Sequence, residues 1–324
     1  MIDARGLSMS YGLVRALDDA TFQAGKGEVV GLLGSNGAGK TTTMRILTTF
    51  LVPTAGSATV AGIDVVKDPL EVRRRIGYLP ESLPLYLSME VRECLEFVGR
   101  ARGLRGAELK RRIDWVVEKC SLDTMFRSPV LTLSKGYRQP TALAQALVHD
   151  PEVVILDEPT TGLDPHQILE IRKLIRELAQ TKCIVLSTHI MQEANVLADR
   201  LIVMSGGRIV GTGTADELRA QSGVRPRVRV SVSSGAAQAA QKLSQVPGLA
   251  EFNAHPEGRF DMVETSPGLP ERIGALAHAE GWTLTELSRD AGSLEAVFEA
   301  LTRTAAPPPR ESDVPPAAPA GEAA

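Results

Sequence analysis

Gly34-Ser35-Asn36-Gly37-Ala38-Gly39-Lys40-Thr41 satisfies every fixed position of the pattern G-x-x-x-x-G-K-[ST]. The flanks agree with it. Val29-Val30-Gly31-Leu32-Leu33 is a continuous apolar run that reads as a buried strand, and Thr42-Thr43-Met44-Arg45-Ile46-Leu47 reads as a helix. Strand, loop and helix in that order are what phosphate binding needs. Glycines let the backbone curl so that successive N–H groups point inward as an anion nest, and the helix that follows adds its positive dipole end. Lys40 is then placed for β- and γ-phosphates and the Thr41 hydroxyl for Mg²⁺.

Further along, Val153-Val154-Ile155-Leu156-Asp157-Glu158 is an apolar strand that ends in two acids. Asp157, at the strand tip, suits holding Mg²⁺ through water, and Glu158 suits polarising an attacking water. Cys183-Ile184-Val185-Leu186-Ser187 is a second buried strand, and Ile168, Ile171, Leu174, Ile175 and Leu178 between the two share one helix face. This is the βαβ signature of a doubly wound α/β core. Residues 83–130 contain no convincing strand and read as a helical insert. Two short apolar runs flank Gly206-Gly207, a hairpin signal, and Thr214-Ala215-Asp216-Glu217 is a capping box.

A boundary is expected at residues 222–226. Beyond it, Arg227-Val228-Arg229-Val230-Ser231-Val232 alternates as a half-exposed strand. A helix at 236–243, a hairpin at 249–264, a helix at 269–280 and a strand at 283–287 complete a β-α-β-β-α-β order, which suggests a ferredoxin-like accessory domain closed by an amphipathic helix at 294–301. The Pro/Ala-rich tail from 305 has no periodicity and is expected to be disordered.

The bulk properties narrow the function. A formal charge of −3 and 4% aromatic residues give no basis for nucleic acid as a partner. Cys94, Cys120 and Cys183 form no C-x-x-C pair and read as free thiols of a reducing compartment. Charged residues within the first thirty positions leave no signal-peptide core, and no apolar stretch is long enough for a membrane span.

Leu133-Ser134-Lys135-Gly136-Tyr137-Arg138-Gln139 is, by itself, an ordinary Ser-capped helix start. Standing just upstream of Asp157, it makes residues 1–220 resemble the ATP-binding subunits of ABC transporters, whose signature is L-S-x-G-[QY]. Thr161-Gly162-Leu163-Asp164-Pro165 looks like the family's D-loop, Ser187-Thr188-His189 like its switch-histidine region, and Tyr11 stands where an aromatic stacks on adenine. The resemblance implies an α/β P-loop NTPase fold of the ABC ATPase type. It would have an N-terminal β subdomain, a helical insert at about 83–135 within an ATP-binding domain of residues 1–222, and the small α+β domain at 223–304. It also implies a mechanism. Two copies pair head-to-tail, most economically as a homodimer, and bury ATP between them. The phosphate loop from Gly34 to Thr42 of one copy faces Ser134 and Gly136 of the other, and Asp164 lies in the D-loop at the same junction. Glu158 and His189 position water. A separate membrane permease would dock on the helical insert and on the segment around residues 81–90, placing the chain in the cytoplasm on the inner face of the membrane.

Two positions depart from the family pattern. Glu81, a further candidate for Mg²⁺ or water, stands where many relatives have Gln, a variant similar to gliding-motility, drug-efflux and lipid-export transporters; the phrase Ser293-Leu294-Glu295-Ala296-Val297-Phe298 belongs to that branch too. Pro140 stands where relatives usually have Arg. With Ser134 as N-cap it falls in the second turn, at a cost of roughly 3 kcal/mol unless the helix starts later or bends. A bend would re-aim Ser134 and Gly136 and weaken hydrolysis or dimer closure. An exporter ATPase is therefore expected, with a weakly hydrolysing nucleotide-binding regulator as the alternative. ABC-type factors acting on ribosomes or DNA carry two motif sets or long coiled coils, and this chain has neither.

Overall fold

The computed structural model describes residues 1–233, 236–290 and 292–304. They form two compact units, Met1–Thr214 and Ala215–Arg303. In chain order the first unit contains β1 (Ile2–Tyr11), β2 (Val14–Ala24), β3 (Val29–Leu33), α1 (Lys40–Leu47), β4 (Ala55–Val60), β5 (Ile63–Asp64), α2 (Pro69–Arg75) and β6 (Ile76–Leu79). There follow α3 (Val91–Ala101), α4 (Gly106–Lys119), α5 (Lys135–Leu147), β7 (Val153–Asp157), α6 (Pro165–Ala179), β8 (Cys183–Thr188), α7 (Met191–Leu197), β9 (Arg200–Ser205) and β10 (Arg208–Gly213).

A six-stranded sheet in the order β10-β9-β3-β8-β7-β6 is the centre of this unit. Its strands run parallel apart from β10, which returns antiparallel along β9. The return is made at Gly206 and Gly207, both at positive φ as a tight hairpin turn requires. Both faces of the sheet are covered, so each strand is apolar throughout rather than alternating. Val154, Leu156, Ile184 and Leu186 enter the core shared with α3, α4, α5 and α6. Their sequence neighbours Val153, Ile155, Cys183 and Val185 enter the opposite core, shared with α1 and an antiparallel sheet ordered β2-β1-β4-β5. Residues 83–130 carry α3 and α4 joined by loops and no extended strand; an isolated bridge pairs Glu90 with Pro129.

The second unit comprises α8 (Ala215–Ser222), β11 (Arg227–Val232), α9 (Ala236–Leu243), β12 (Leu249–His255), β13 (Arg259–Glu264), α10 (Leu269–Glu280), β14 (Leu284–Asp290) and α11 (Leu294–Thr304). Its antiparallel sheet, β12-β13-β11-β14, has the order expected of a ferredoxin-like domain. Val228 and Val230 of β11, with Phe260 and Met262 of β13, face α9 and α10. The last strand begins at Leu284 and continues to Asp290, further than the sequence indicated. α8, which lies before the limit at 222 read from the sequence, groups with this unit: its Arg219 Nε donates to Gly292 O at 3.1 Å. The disorder expected from residue 305 concerns positions outside the described residues.

One buried group in the first unit makes stability depend on pH. His149, just after α5, has Nε2 2.9 Å from Ile76 O, to which it donates, while its Nδ1 is buried without a partner. Burial, joined by the positive charges of Arg102, Arg112 and Lys182, pushes its pKa down to about 4 from 6.5. The folded imidazole is therefore neutral where the unfolded one already holds a proton. Stability is complete above pH 6.5, falls through the window between the two values, and stops falling below the lower one. Urea unfolding followed across that window is expected to show this loss. His149→Gln, which keeps a donor for Ile76 O, is expected to flatten it, and an unchanged slope would assign the acid sensitivity elsewhere.

Candidate nucleotide site

Strand register brings the predicted residues together. Leu33 of β3 pairs with Thr188 of β8, and Ser187 of β8 pairs with Asp157 of β7. Three neighbouring parallel strands thus end level. The glycine loop leaves β3, Asp157 closes β7 and His189 follows β8, all at the carboxyl edge where open α/β sheets hold ligands.

Within the loop, Ser35, Asn36 and Gly37 are exposed at the tip, whereas Gly34, Ala38, Gly39 and Lys40 are buried. Gly39 is the N-cap of α1 at φ 103°, with Gly37 at φ 79°, conformations that favour glycine. Gly34 is required for a different reason: a Cβ there would lie 2.7 Å from Met204 O and 2.8 Å from the Ala38 side chain. Lys40 is only 6% exposed, and its Nζ donates to Gly34 O at 2.7 Å and Ser35 O at 3.2 Å. Burial lowers the pKa of this ammonium, and the negative charges of Glu158, Asp157 and Glu81 oppose the shift. The glycine cradle and the acids therefore share one cleft. Thr41 and Thr42, partly buried, open α1 beside them.

Asp157 is 1% exposed. Its Oδ1 accepts from Ser187 Oγ at 2.5 Å, and its Oδ2 is buried with no hydrogen-bond partner. A buried carboxylate oxygen left in that condition fits a cation or a cation-bound water. Among the described residues no group of three or more His, Cys, Asp or Glu side chains is placed to hold a metal ion. The same negative charge, with that of Glu81, adds to burial in pushing the Tyr78 phenol up to about 12.

Glu158 has φ 53°, an uncommon conformation for a side-chain-bearing residue. It is over-determined by its neighbours: its N–H donates to Ser187 Oγ at 3.1 Å, and Gln139 Nε2 donates to the carbonyls of Glu158 and Pro159 at 3.5 and 3.2 Å. The Glu158 Oε1 lies 2.9 Å from His189 Nδ1. Strain of this kind, held by surrounding bonds, is a feature of reactive sites.

Ser134, Gly136 and Asp164 lie at the starts of α5 and α6. Ser134 is the exposed N-cap of α5, with no side-chain cap bond, and Asp164 is the exposed N-cap of α6. The two turns meet each other: a Cβ on Gly162 would lie 2.3 Å from Lys135 Nζ. Tyr11 ends β1 with its ring half-exposed, and among the described residues no hydrogen bond or ring contact ties it to the cleft. Pro140 does not end or delay the helix, as its position in the second turn suggested; α5 runs from Lys135 to Leu147 through it. Ser187 and Gln139 were missed as site residues. The only sequence signal for either was its place inside a motif read for another residue.

Residues 17–161 match the ABC transporter family. Over 208 residues the chain is 41% identical to the ABC transporter ATP-binding protein NatA of Bacillus subtilis (strain 168), covering 64% of this chain and 85% of that protein. The chain belongs to the ABC transporter ATP-binding family. It is also 41% identical over 223 residues to the daunorubicin resistance ATP-binding protein DrrA3 of Streptomyces coeruleorubidus, covering 68% of this chain and 71% of that one. A solved ATP-binding subunit of an ABC transporter aligns with a TM-score of 0.65 and 32% identity, over 69% of this chain and 93% of its own. The ABC ATPase fold and ATP as the nucleotide follow from this membership.

Ser187 tests the architecture of the site. Ser187→Ala removes the donor to Asp157 and the acceptor for Glu158 N–H in a single change. ATP turnover at saturating nucleotide and Mg²⁺ is expected to fall about tenfold, the effect of losing two buried hydrogen bonds. A rate equal to that of the parent would remove Ser187 from the catalytic arrangement.

Proposed function

We propose that this chain is the ATP-hydrolysing subunit of a membrane exporter, working as a homodimer on a separate permease. The observation that carries the reading is the contact between Glu158 Oε1 and His189 Nδ1, 2.9 Å apart at the edge shared with Lys40 and Asp157. In this reading Glu158 orients and polarises the attacking water, and His189 holds the Glu158 carboxylate while its ring reaches the γ-phosphate. Lys40, the loop N–H groups and the N-terminus of α1 stabilise charge on the transferring group. Asp157 and Thr41, with Glu81 nearby, would hold Mg²⁺, which supplies charge neutralisation of the β- and γ-phosphates when bound.

Ser134 and Asp164 are exposed at the N-caps of α5 and α6, which supports their facing a second copy. Gly136 sits with them in the first turn of α5, where backbone N–H groups are free of intrahelical partners. Tyr11 would stack on the adenine. The name of DrrA3 concerns resistance to a drug, and this similarity supports export as the direction of transport. α5 starts at Lys135 and runs through Pro140, which supports the hydrolysing reading over the alternative of a regulator with weak turnover.

No helix among the described residues is long and apolar enough to cross a membrane. The seat of the permease is proposed on the helical insert. Tyr86 and Phe97 are 53% and 49% exposed, and their rings meet edge to face with centroids 5.6 Å apart, beside exposed Leu87. Exposed aromatic clusters of this kind are frequent anchors at protein interfaces.

Two measurements test the reading. Glu158→Gln is expected to retain ATP binding and to lose hydrolysis by about a hundredfold or more, the range typical of a lost general base; full turnover in that variant would take Glu158 out of its role. Tyr86→Asp with Phe97→Asp is expected to free the protein from the membrane fraction of its source cells while leaving ATP turnover of the isolated chain intact. Undiminished membrane association would place the docking surface elsewhere.

A further inference from the structure

In an α-helix the N–H of residue i bonds to the carbonyl of residue i−4. Proline at 140 has no N–H to give to Gly136 O and presses its ring towards that carbonyl. Pro140 is nevertheless buried within a continuous α5. The missing donor comes from another helix. Gln167 Nε2, on α6, donates to Gly136 O at 3.1 Å. One residue further along α5, Thr141 Oγ1 donates to Tyr137 O at 2.7 Å, giving the next carbonyl an additional donor.

The other end of the same amide is occupied as well. Gln167 Oε1 accepts from Asp164 N at 3.3 Å, and Asp164 Oδ1 accepts from Gln167 N at 2.9 Å, the reciprocal capping box of α6. A donor contact at one end and an acceptor contact at the other fix the orientation of the amide. The fit is close: a Cβ on Gly136 would lie 2.5 Å from both Gln167 Nε2 and Gln167 Oε1. A Cβ at 136 would therefore displace the end of the Gln167 side chain, although the backbone of Gly136 is helical.

We propose that Gln167 is a positioning residue that supplies the hydrogen bond Pro140 removes, and so locks the turn at Ser134 to Gly136 and the turn at Asp164 into a single unit. One amide spans the N-cap region of α6 and the orphaned carbonyl of α5. With a residue other than proline at 140, α5 would satisfy Gly136 O from its own backbone and the tie would become redundant. With proline there, the orientation of α5 depends on α6. The proposal rests on the functional reading above only in taking this surface as the one presented to a second copy.

A double-mutant cycle on the full chain tests it, using Gln167→Leu, Pro140→Ala and the two combined. Gln167→Leu is expected to lower ATP turnover and ATP-driven dimerisation about tenfold, with the affinity of the monomer for a fluorescent ATP analogue unchanged within about twofold. In the Pro140→Ala background the same change is expected to cost no more than about twofold, because the N–H of residue 140 again reaches Gly136 O. Gln167→Glu, which keeps the acceptor for Asp164 N–H and loses the donor to Gly136 O, is expected to behave like Gln167→Leu. Equal losses in both backgrounds overturn the proposal, as does Gln167→Glu with the parent's turnover. Should the parent neither dimerise nor turn over ATP, the functional reading fails, and urea unfolding of the same four proteins decides the pairing instead: non-additive midpoints sustain it and additive ones overturn it.

Discussion

The register between β7, β8 and β3 is the constraint on which the site depends. Each of these strands is apolar on both faces, so a one-residue slip would exchange apolar side chains between two apolar cores and meet little resistance from burial alone. The polar strand ends supply what burial does not. Ser187 is hydrogen-bonded to the Asp157 carboxylate and to the Glu158 N–H, and it can do both only when it pairs with Asp157. Gly31 adds a steric condition in β3, since a Cβ there would lie 2.9 Å from the Leu201 side chain. A slipped sheet would keep its cores and lose its chemistry.

Charge balance follows from that register. Three carboxylates, from Asp157, Glu158 and Glu81, act on one buried ammonium at Lys40. The cleft is therefore acidic before a triphosphate enters it, and a triphosphate adds further negative charge. Loop N–H groups and one helix dipole contribute partial charges only. A divalent cation held at Asp157 would add positive charge there without displacing Lys40. The buried, unpartnered Asp157 Oδ2 is the position at which such an ion, or its water, would relieve an unmet hydrogen-bonding group.

Much of this was legible in the sequence, and the boundary between what was and what was not has a physical origin. Strand β3, the glycine loop, β7 with its acids and the β-α-β-β-α-β order of the second unit are local patterns of periodicity, turn residues and apolar runs. The antiparallel sheet of β1, β2, β4 and β5 gave only a general expectation of β structure, because its strands carry register shifts that interrupt alternation. The lateral contacts were not legible at all. Ser187 matters because β8 lies beside β7, and Gln139 because α5 passes under the turn after β7. Pro140 was visible as an anomaly, but its remedy comes from a residue 27 positions away on another helix, Gln167, which no local pattern marks.

The turn after β7 also connects outward. Thr160 donates its hydroxyl to the buried carboxylate of Glu193 on α7, and Arg172 on α6 stands 4.0 Å from the same carboxylate. A carboxylate buried without partners would be costly, and the Thr160 hydroxyl supplies one. His189, two positions before α7, touches Glu158, and Asp164 caps the helix that carries Arg172. The end of β7, the start of α7 and the start of α6 are thus bound into one polar network, and Gln167 extends it to α5. The strand ends are linked in this way to the exposed N-caps: Gln139 of α5 donates to the Glu158 and Pro159 carbonyls, and Gln167 of α6 donates to Gly136 O.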